Sequence, residues 1–307
     1  MNNTGSKPHS STFWTDFSLL AVAVIWGINA PVMKFGILHV DPFVFNAIRL
    51  SISAISLWFC VLLFEGPKAE PSEKVKPSQL LGWIVGFSIF SGAVYQITFL
   101  AGIFRTTAGN TALIMSSCPM WTAILAVIAT RDQLSRITWL GLSMTLLGTI
   151  LVISQRGELA ISGASFYGNV IVLAAALAWA SASVASKPML NHVSAIRLAF
   201  YSMFLTLPIH WALAIPNWQD FPKAFEPWTF ASIFYSGFFS TGVAYAMWND
   251  GIKKVGAPHA AVYQNVIPLV ALIGAWLMID EVPVALQLWG GASIIAGLVV
   301  MRRGRQS

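Results

Sequence analysis

The stretch AGNTALIMSSCPMWTAILAVIATRDQLSRITWLGLSMTLLGTILV (108–152) lies without a gap on APHAAVYQNVIPLVALIGAWLMIDEVPVALQLWGGASIIAGLVVM (257–301), at an offset of 149. In that register Pro119 meets Pro268, Asp132 meets Glu281, Gly141 meets Gly290 and Gly148 meets Gly297. A second block, offset by 153, sets Trp26 on Trp179 and Lys34 on Lys187, and Leu20, Ala21 and Ala23 on Leu173, Ala174 and Ala176. Tyr95 meets Tyr245 at an offset of 150. Alanine and leucine matches are cheap in apolar sequence. Tryptophan, proline, an acidic residue and two glycines recurring in the same order are not, and they mark an internal duplication.

Composition says where the duplicated chain lives. Of 307 residues, 56% are apolar and 10% charged, whereas soluble domains carry roughly 25% charged residues. Too few charges exist to coat a water-exposed surface, so the chain reads as an integral membrane protein. A helix needs about 20 mostly apolar residues to cross a hydrocarbon core. Apolar runs at 17–39, 43–64, 80–103, 107–130, 137–154, 167–187, 194–215, 228–251, 256–279 and 284–301 supply ten such spans. The expected organisation is a cytoplasmic tail over 1–16, a first five-helix repeat over 17–154, a connecting loop at 155–166, a second repeat over 167–303 and a tail at 304–307. The first run is longer than a signal-peptide core and reads as a retained helix.

Five is odd, so the second repeat must enter the membrane from the opposite side. The fold expected is all-α, with ten transmembrane helices in two inverted five-helix repeats, an architecture used by many secondary transporters. The net charge of +6 is spread too thinly for a nucleic-acid surface and reads as a topology signal. Lys7, Lys68, Lys74, Lys76, Arg131, Arg136, Lys187, Lys253, Lys254, Arg302, Arg303 and Arg305 fall on the side of the termini; Lys34, Arg105, Arg156 and Lys223 fall on the other. The bias places both termini in the cytoplasm.

The same residues carry a family resemblance. Ala-Val-Ile-Trp-Gly at 23–27, the proline in the fourth helix, Trp-Asn-Asp-Gly at 248–251, Ile-Asp-Glu-Val-Pro at 279–283 and Trp-Gly-Gly at 289–291 resemble two tandem EamA units of the drug/metabolite transporter superfamily. The resemblance runs from about Phe17 to Arg303, with one departure: Asp132 stands where the family commonly has glutamate. It implies transport of a small metabolite across a bacterial inner membrane, with export of amino acids or related compounds favoured. A multidrug exporter of broad selectivity is the rival within transport, and a membrane receptor or scaffold without flux is the rival outside it.

A carrier needs polar groups at depth. All twelve carboxylates map to helix ends or loops. The small multidrug-resistance pumps, similar in fold to this family, couple to protons through an embedded glutamate; the first helix here offers Asn29 instead, which disfavours a dedicated pump for organic cations. Arg49 is the clearest intramembrane charge, either snorkelling to the interface or meeting an anionic group of the solute. Trp26, Asn29, Tyr95, Gln96, Trp179, Ser183, Tyr245, Tyr263, Gln264 and Asn265 are the remaining candidates for binding the small-molecule substrate, against the plainer reading of helix packing and interhelical hydrogen bonds. Pro119 and Pro268 are candidate hinges, or packing kinks. Gly141/Gly148, Gly290/Gly297 and Gly82-x-x-x-Gly86 read as helix-packing seams, and Asp132 and Glu281 as caps for the helices that follow them.

Trp14, Trp211, Trp218 and Trp228 are expected at the membrane interfaces, with Arg197, Lys34 and Lys187 as anchors and, for either lysine, gating as the alternative. His9, His39, His192, His210 and His259 have no metal-ligand spacing, no hydrolase or phosphate-binding motif is present, and Cys60 and Cys118 sit singly in apolar runs. The chain is therefore expected to be neither an enzyme nor a metalloprotein, to need no cofactor, and to work as a monomer whose partners are its solute, the bilayer and, as candidate coupling ion, the proton.

Overall fold

The computed structural model describes residues 10–65, 76–130, 135–153, 164–255 and 263–306. They form α1 (Ser10–Ile37), α2 (Pro42–Phe64), α3 (Pro77–Arg105), α4 (108–130), α5 (Arg136–Ile153), α6 (Ala164–Leu190), α7 (Ala195–Ala214), α8 (227–255), α9 (Ile267–Ile279) and α10 (Ala285–Gln306). A 3₁₀ stretch, Ile215–Phe225, joins α7 to α8. Every regular element among the described residues is helical, because lipid offers no partner for an open strand edge. The ends of α1 and α10 that carry the chain termini share one face, here called the near face; the other is the far face.

Among the described residues five helices, Phe13–Ile37, Pro42–Phe64, Pro77–Arg105, Ser165–Ser186 and Ala195–Phe225, are long and apolar enough to cross a bilayer unaided. Others are broken, and the breaks follow the repeat. In α4, Ala108–Met115 gives way at Ser116 and Ser117 to Cys118–Thr130, with Pro119 opening the second piece. In α9, a short 3₁₀ turn at Gln264–Val266 precedes Ile267–Ile279, with Pro268 in its first turn. Proline lacks an N–H and clashes with the preceding turn, so it sits where a helix restarts. α3 and α8 share a second irregularity, π-wound turns at Ile89–Val94 and Tyr235–Val243 just ahead of the paired Tyr95 and Tyr245.

The most extensive helix pairing joins α5 to α10, one from each repeat. There the duplicated glycines meet crosswise, each against the counterpart of the other: a Cβ on Gly141 would lie 2.5 Å from the Gly297 carbonyl oxygen, and one on Gly148 2.5 Å from that of Gly290. Small residues let backbones touch where the hydrophobic effect cannot drive association. The Gly82/Gly86 seam expected from sequence does not form, since a Cβ added to either residue would meet nothing within 4 Å and both residues are exposed. Spacing alone records that two glycines share a face, not which way the face points.

Large apolar side chains ring the outside, Leu63, Phe64, Trp228 and Leu277 among them, as a lipid-facing surface requires. Trp14, Trp218 and Trp228 are exposed, but Trp211 turns inward and donates its indole N–H to Ser51 Oγ at 3.1 Å. Arg197 is tied to Glu65 at 2.6 Å rather than anchored alone. Because the clash at Gly297 is with backbone that cannot rotate away, Gly297→Val should cost about 1–3 kcal/mol and lower the Tm of the purified protein. Gly82→Val should leave it in place; equal melting of both variants would mean the seam can widen freely.

Candidate functional site

The membrane interior holds a polar cluster built from α2, α3 and α7. Arg49 is 4% exposed and does not snorkel. Its Nε and Nη2 donate to Asn46 Oδ1 at 3.1 and 2.7 Å, and Nη2 also donates to Gln96 Oε1 at 2.6 Å. Asn46 lies three residues earlier on the same helix, so one turn brings the two side chains together. Nη1 carries no hydrogen bond, and no carboxylate pairs with the guanidinium, among the described residues. A buried guanidinium with donors to spare is costly unless something answers it.

Gln96 and its neighbour Tyr95 leave the π-wound turn of α3 in different directions. Gln96 meets Arg49 and Met203 Sδ of α7; the Tyr95 ring tilts against Trp179 of α6 with centroids 4.9 Å apart. Four of the expected residues, Arg49, Tyr95, Gln96 and Trp179, thus form one continuous site. Trp26 and Asn29 belong to a second place on α1. The Trp26 indole N–H donates to Ser240 O at 2.9 Å and its ring meets Trp248 at 5.3 Å. Asn29 reaches only Met33 Sδ with its amide nitrogen, and its Oδ1 is buried without a partner.

Three expected residues lie elsewhere. Ser183 donates to the Trp179 carbonyl one turn back, so its hydroxyl is spent within its own helix. Tyr245 packs into the apolar cluster of Leu50, Leu57 and Met203 between α2 and α7. Tyr263 hydrogen-bonds Asp16 toward the near face. Gln264 is half-buried in the 3₁₀ turn before α9, and the side chain of Asn265 lies outside the described residues, as do Asp132 and the side chain of Lys187.

A second polar cluster closes the far face. α3 ends at Arg105 and α4 starts at Ala108, leaving unpaired carbonyls and N–H groups side by side. Lys34 at the end of α1 donates to the carbonyls of Ile103, Phe104 and Thr106 at 2.8, 3.1 and 2.7 Å. Glu281 accepts the backbone N–H groups of Ala108 and Gly109 at 2.8 and 3.4 Å. A cation therefore meets a helix C-terminus and an anion meets an N-terminus, as helix dipoles favour. Lys34 is a clamp rather than an interface anchor.

Glu281 thereby caps a helix of the other repeat. Asp280 takes a left-handed conformation, φ 54°, and turns the chain so that the next side chain points back at α4. Gln287 at the start of α10 completes the latch by donating to Asn110 Oδ1 at 2.7 Å, while Asn110 and Thr106 bond Asn169 of α6. A cavity opens beside the latch, lined by Thr107, Leu272, Ala275 and Glu281.

Two mirrored five-helix units with broken helices, a buried cation and a latched face define the class of a membrane carrier, and likeness to known proteins names the family. The model of the EamA-like transporter family matches residues 13–154 and again 166–303, so the chain belongs to that family. A probable amino-acid metabolite efflux pump of Salmonella typhimurium is 26% identical, over 92% of this chain and 93% of its own. A probable terminal-alkyne amino-acid exporter of Streptantibioticus cattleyicolor is 24% identical, over 94% and 93%. A solved crystal structure 16% identical in sequence covers 94% of this chain and 96% of its own with a TM-score of 0.62. The protein is a multi-pass membrane transporter.

Removing the charge of Glu281 should loosen the far face. In a background with Cys60 and Cys118 replaced by alanine, Ala275→Cys should be protected from a membrane-impermeant thiol reagent and become reactive once Glu281→Gln is added. The lost cap is worth about 1 kcal/mol, a several-fold rise in labelling rate. Unchanged labelling would mean the carboxylate does not hold the latch.

Proposed function

We propose that the chain exports a small organic metabolite, an amino acid or a related compound, across the bacterial inner membrane by alternating access, with both termini in the cytoplasm. The observation that carries this reading is Arg49, a buried cation with Nη1 free of hydrogen bonds beside the Tyr95 and Trp179 rings. A guanidinium N–H makes a charge-assisted hydrogen bond to a carboxylate, and rings in van der Waals reach suit an apolar side chain. Amino acids offer both parts, and the names of the efflux relatives agree with that choice.

In this reading the solute carboxylate takes Nη1 of Arg49, Gln96 reads a polar substituent, and Tyr95 and Trp179 line the apolar wall. Trp26 and Asn29 meet the solute along α1 on its way through, with Gln264 and Asn265 behind the α9 break. The bends at Pro119 and Pro268 let each repeat flex against the other. The far-face latch of Lys34 and Glu281 is shut in the arrangement described, which leaves loading to the near face.

Flux into and out of proteoliposomes, with labelled amino acids under a solute gradient or in exchange, tests the reading. Arg49→Lys keeps the charge but lacks the planar group whose Nε and Nη2 serve Asn46 and Gln96 while Nη1 stays free for the solute. A charge-assisted hydrogen bond is worth about 1.5–3 kcal/mol, so flux at limiting solute should fall about tenfold or more, chiefly through a raised KM. Arg49→Lys with unaltered KM, or wild type moving no amino acid at all, overturns the reading.

A further inference from the structure

One buried titratable group adjoins that site and has no role in the reading above. His210 of α7 is 1% exposed. Its Nδ1 lies 3.2 Å from Asn46 Nδ2, and its Nε2 lies 2.8 Å from the Gly92 carbonyl oxygen in the π-wound turn of α3. Gly92 makes that approach possible, since a Cβ there would sit 2.2 Å from the Ser202 carbonyl of α7. His210 therefore stitches the second repeat, through α7, to α2 and α3 of the first.

The hydrogen-bond roles along this line are fixed from one end. Arg49 is donor-only and gives two N–H groups to Asn46 Oδ1, so the Asn46 oxygen faces Arg49 and its NH₂ faces His210. The NH₂ donates, which makes Nδ1 an acceptor without a proton. The carbonyl of Gly92 accepts, which places the ring proton on Nε2. The closed arrangement thus holds a neutral imidazole in one tautomer, with every role in the chain from Gly92 to Arg49 assigned.

A proton on Nδ1 has no place in that chain. It would set N–H against the Asn46 NH₂. If Asn46 turned over to accept it, its NH₂ would face the Arg49 guanidinium. Neither orientation of the amide serves an imidazolium and a guanidinium together, and both groups then carry positive charge in the membrane interior.

We propose that His210 is the proton-coupling site of this carrier, a proton binding at Nδ1 only when α7 has parted from α2 and α3, so that proton uptake and opening between the repeats are one linked event. This rests on the carrier reading for its meaning, and it supplies the proton-binding group that the membrane interior lacks as a carboxylate. The proton balance is simple: neutral imidazole plus a proton gives imidazolium on opening, and re-forming the Asn46 contact releases the proton. A proton that binds one conformation alone shifts the population toward it.

Other titratable groups on the elements packed against α7 are engaged elsewhere. Arg49 acts on His210 through Asn46. The stretch of α3 from Pro77 to Val94 carries no titratable side chain, and Tyr95 beyond it turns to Trp179. Cys60 bonds the Gly242 carbonyl, Asp220 pairs with Lys223, Asp250 pairs with Lys254 and Tyr245 packs at Leu57. On α7 itself Arg197 pairs with Glu65, and Tyr201 packs beside the Ile84 and Leu198 cluster.

The test needs no solute. Spin labels at Phe90 and Ile209, both exposed side chains flanking the contact, in a background without Cys60 and Cys118, report the separation of α3 and α7 in reconstituted protein. Acidifying to about pH 5, below the ordinary imidazole range, should add a longer-distance population. His210→Gln should abolish it, because the amide copies both hydrogen bonds of the neutral ring and takes no proton.

Asn46→Asp should abolish it for the opposite reason. The carboxylate accepts from Arg49 and from an imidazolium at once, so the ring stays protonated and the helices stay joined, and ¹⁵N shifts of labelled histidine should show the imidazolium at neutral pH. If either variant fails to fold, the other carries the test. A distance distribution unmoved by acid in the parent, or an acid response retained in His210→Gln, overturns the proposal. Amino-acid exchange in proteoliposomes separates the two readings: no exchange in wild type, with the distance change present, sinks the carrier reading and leaves an acid-driven opening.

Discussion

Hydrocarbon supplies no hydrogen bonds, so any backbone group released where a helix breaks must find its partner inside the protein. The architecture is organised by that constraint. Where α3 stops, Lys34 takes three carbonyls; where α4 starts, Glu281 takes two N–H groups; where α3 winds into a π turn, His210 meets a carbonyl. In each case the partner comes from a distant part of the chain. An irregular backbone that would be a defect in lipid becomes a point at which distant parts of the chain are tied together, and such ties can be exchanged as the protein moves.

The ties also sort the fold into a rigid part and a changeable part. α5 and α10 touch chiefly through glycine backbones, with the Ser293 hydroxyl donating across the seam to the Met144 carbonyl at 2.9 Å. The contacts of α7 with α2 and α3, and of the α9–α10 connection with α4, include polar side chains that can accept other partners: water, a solute or a proton. A carrier needs this division. Under the alternating access proposed above, one seam would hold the repeats in register while others open and close, and polar side chains gather at the latter.

Features that depend on one helix at a time, or on the duplication, could be read from the sequence. The pairing of Pro119 with Pro268 told where helices break, and the glycine spacing of α5 and α10 told which faces approach, because both follow from local geometry repeated twice. Tyr95, Gln96, Arg49 and Trp179 were legible as polar or aromatic groups at depth. Partners that join helices far apart in the chain were not. Asn46 was not among the candidates at all, His210 was one histidine among five, and Glu281 read as a cap for the helix after it, whereas the left-handed turn at Asp280 aims it at α4. Gly82 and Gly86 failed for the same reason: periodicity gives a face, and only the packing of the other helices says whether that face meets protein or lipid.

The glycine seam bears on how the duplication can be seen at all. Gly141 meets Gly297 and Gly148 meets Gly290, and each of these residues is also the counterpart of the other pair's member in the repeat. The surface is self-complementary in the sense of a twofold contact: one five-helix unit would greet an inverted copy of itself with the same residues. Elsewhere the two copies could drift into different roles, one supplying Arg49 and the other His210. Along this line they could not drift, since any bulk gained on one side has no hollow to enter on the other. The residues by which the two copies recognise each other in space are the ones by which their common origin can still be read in the chain.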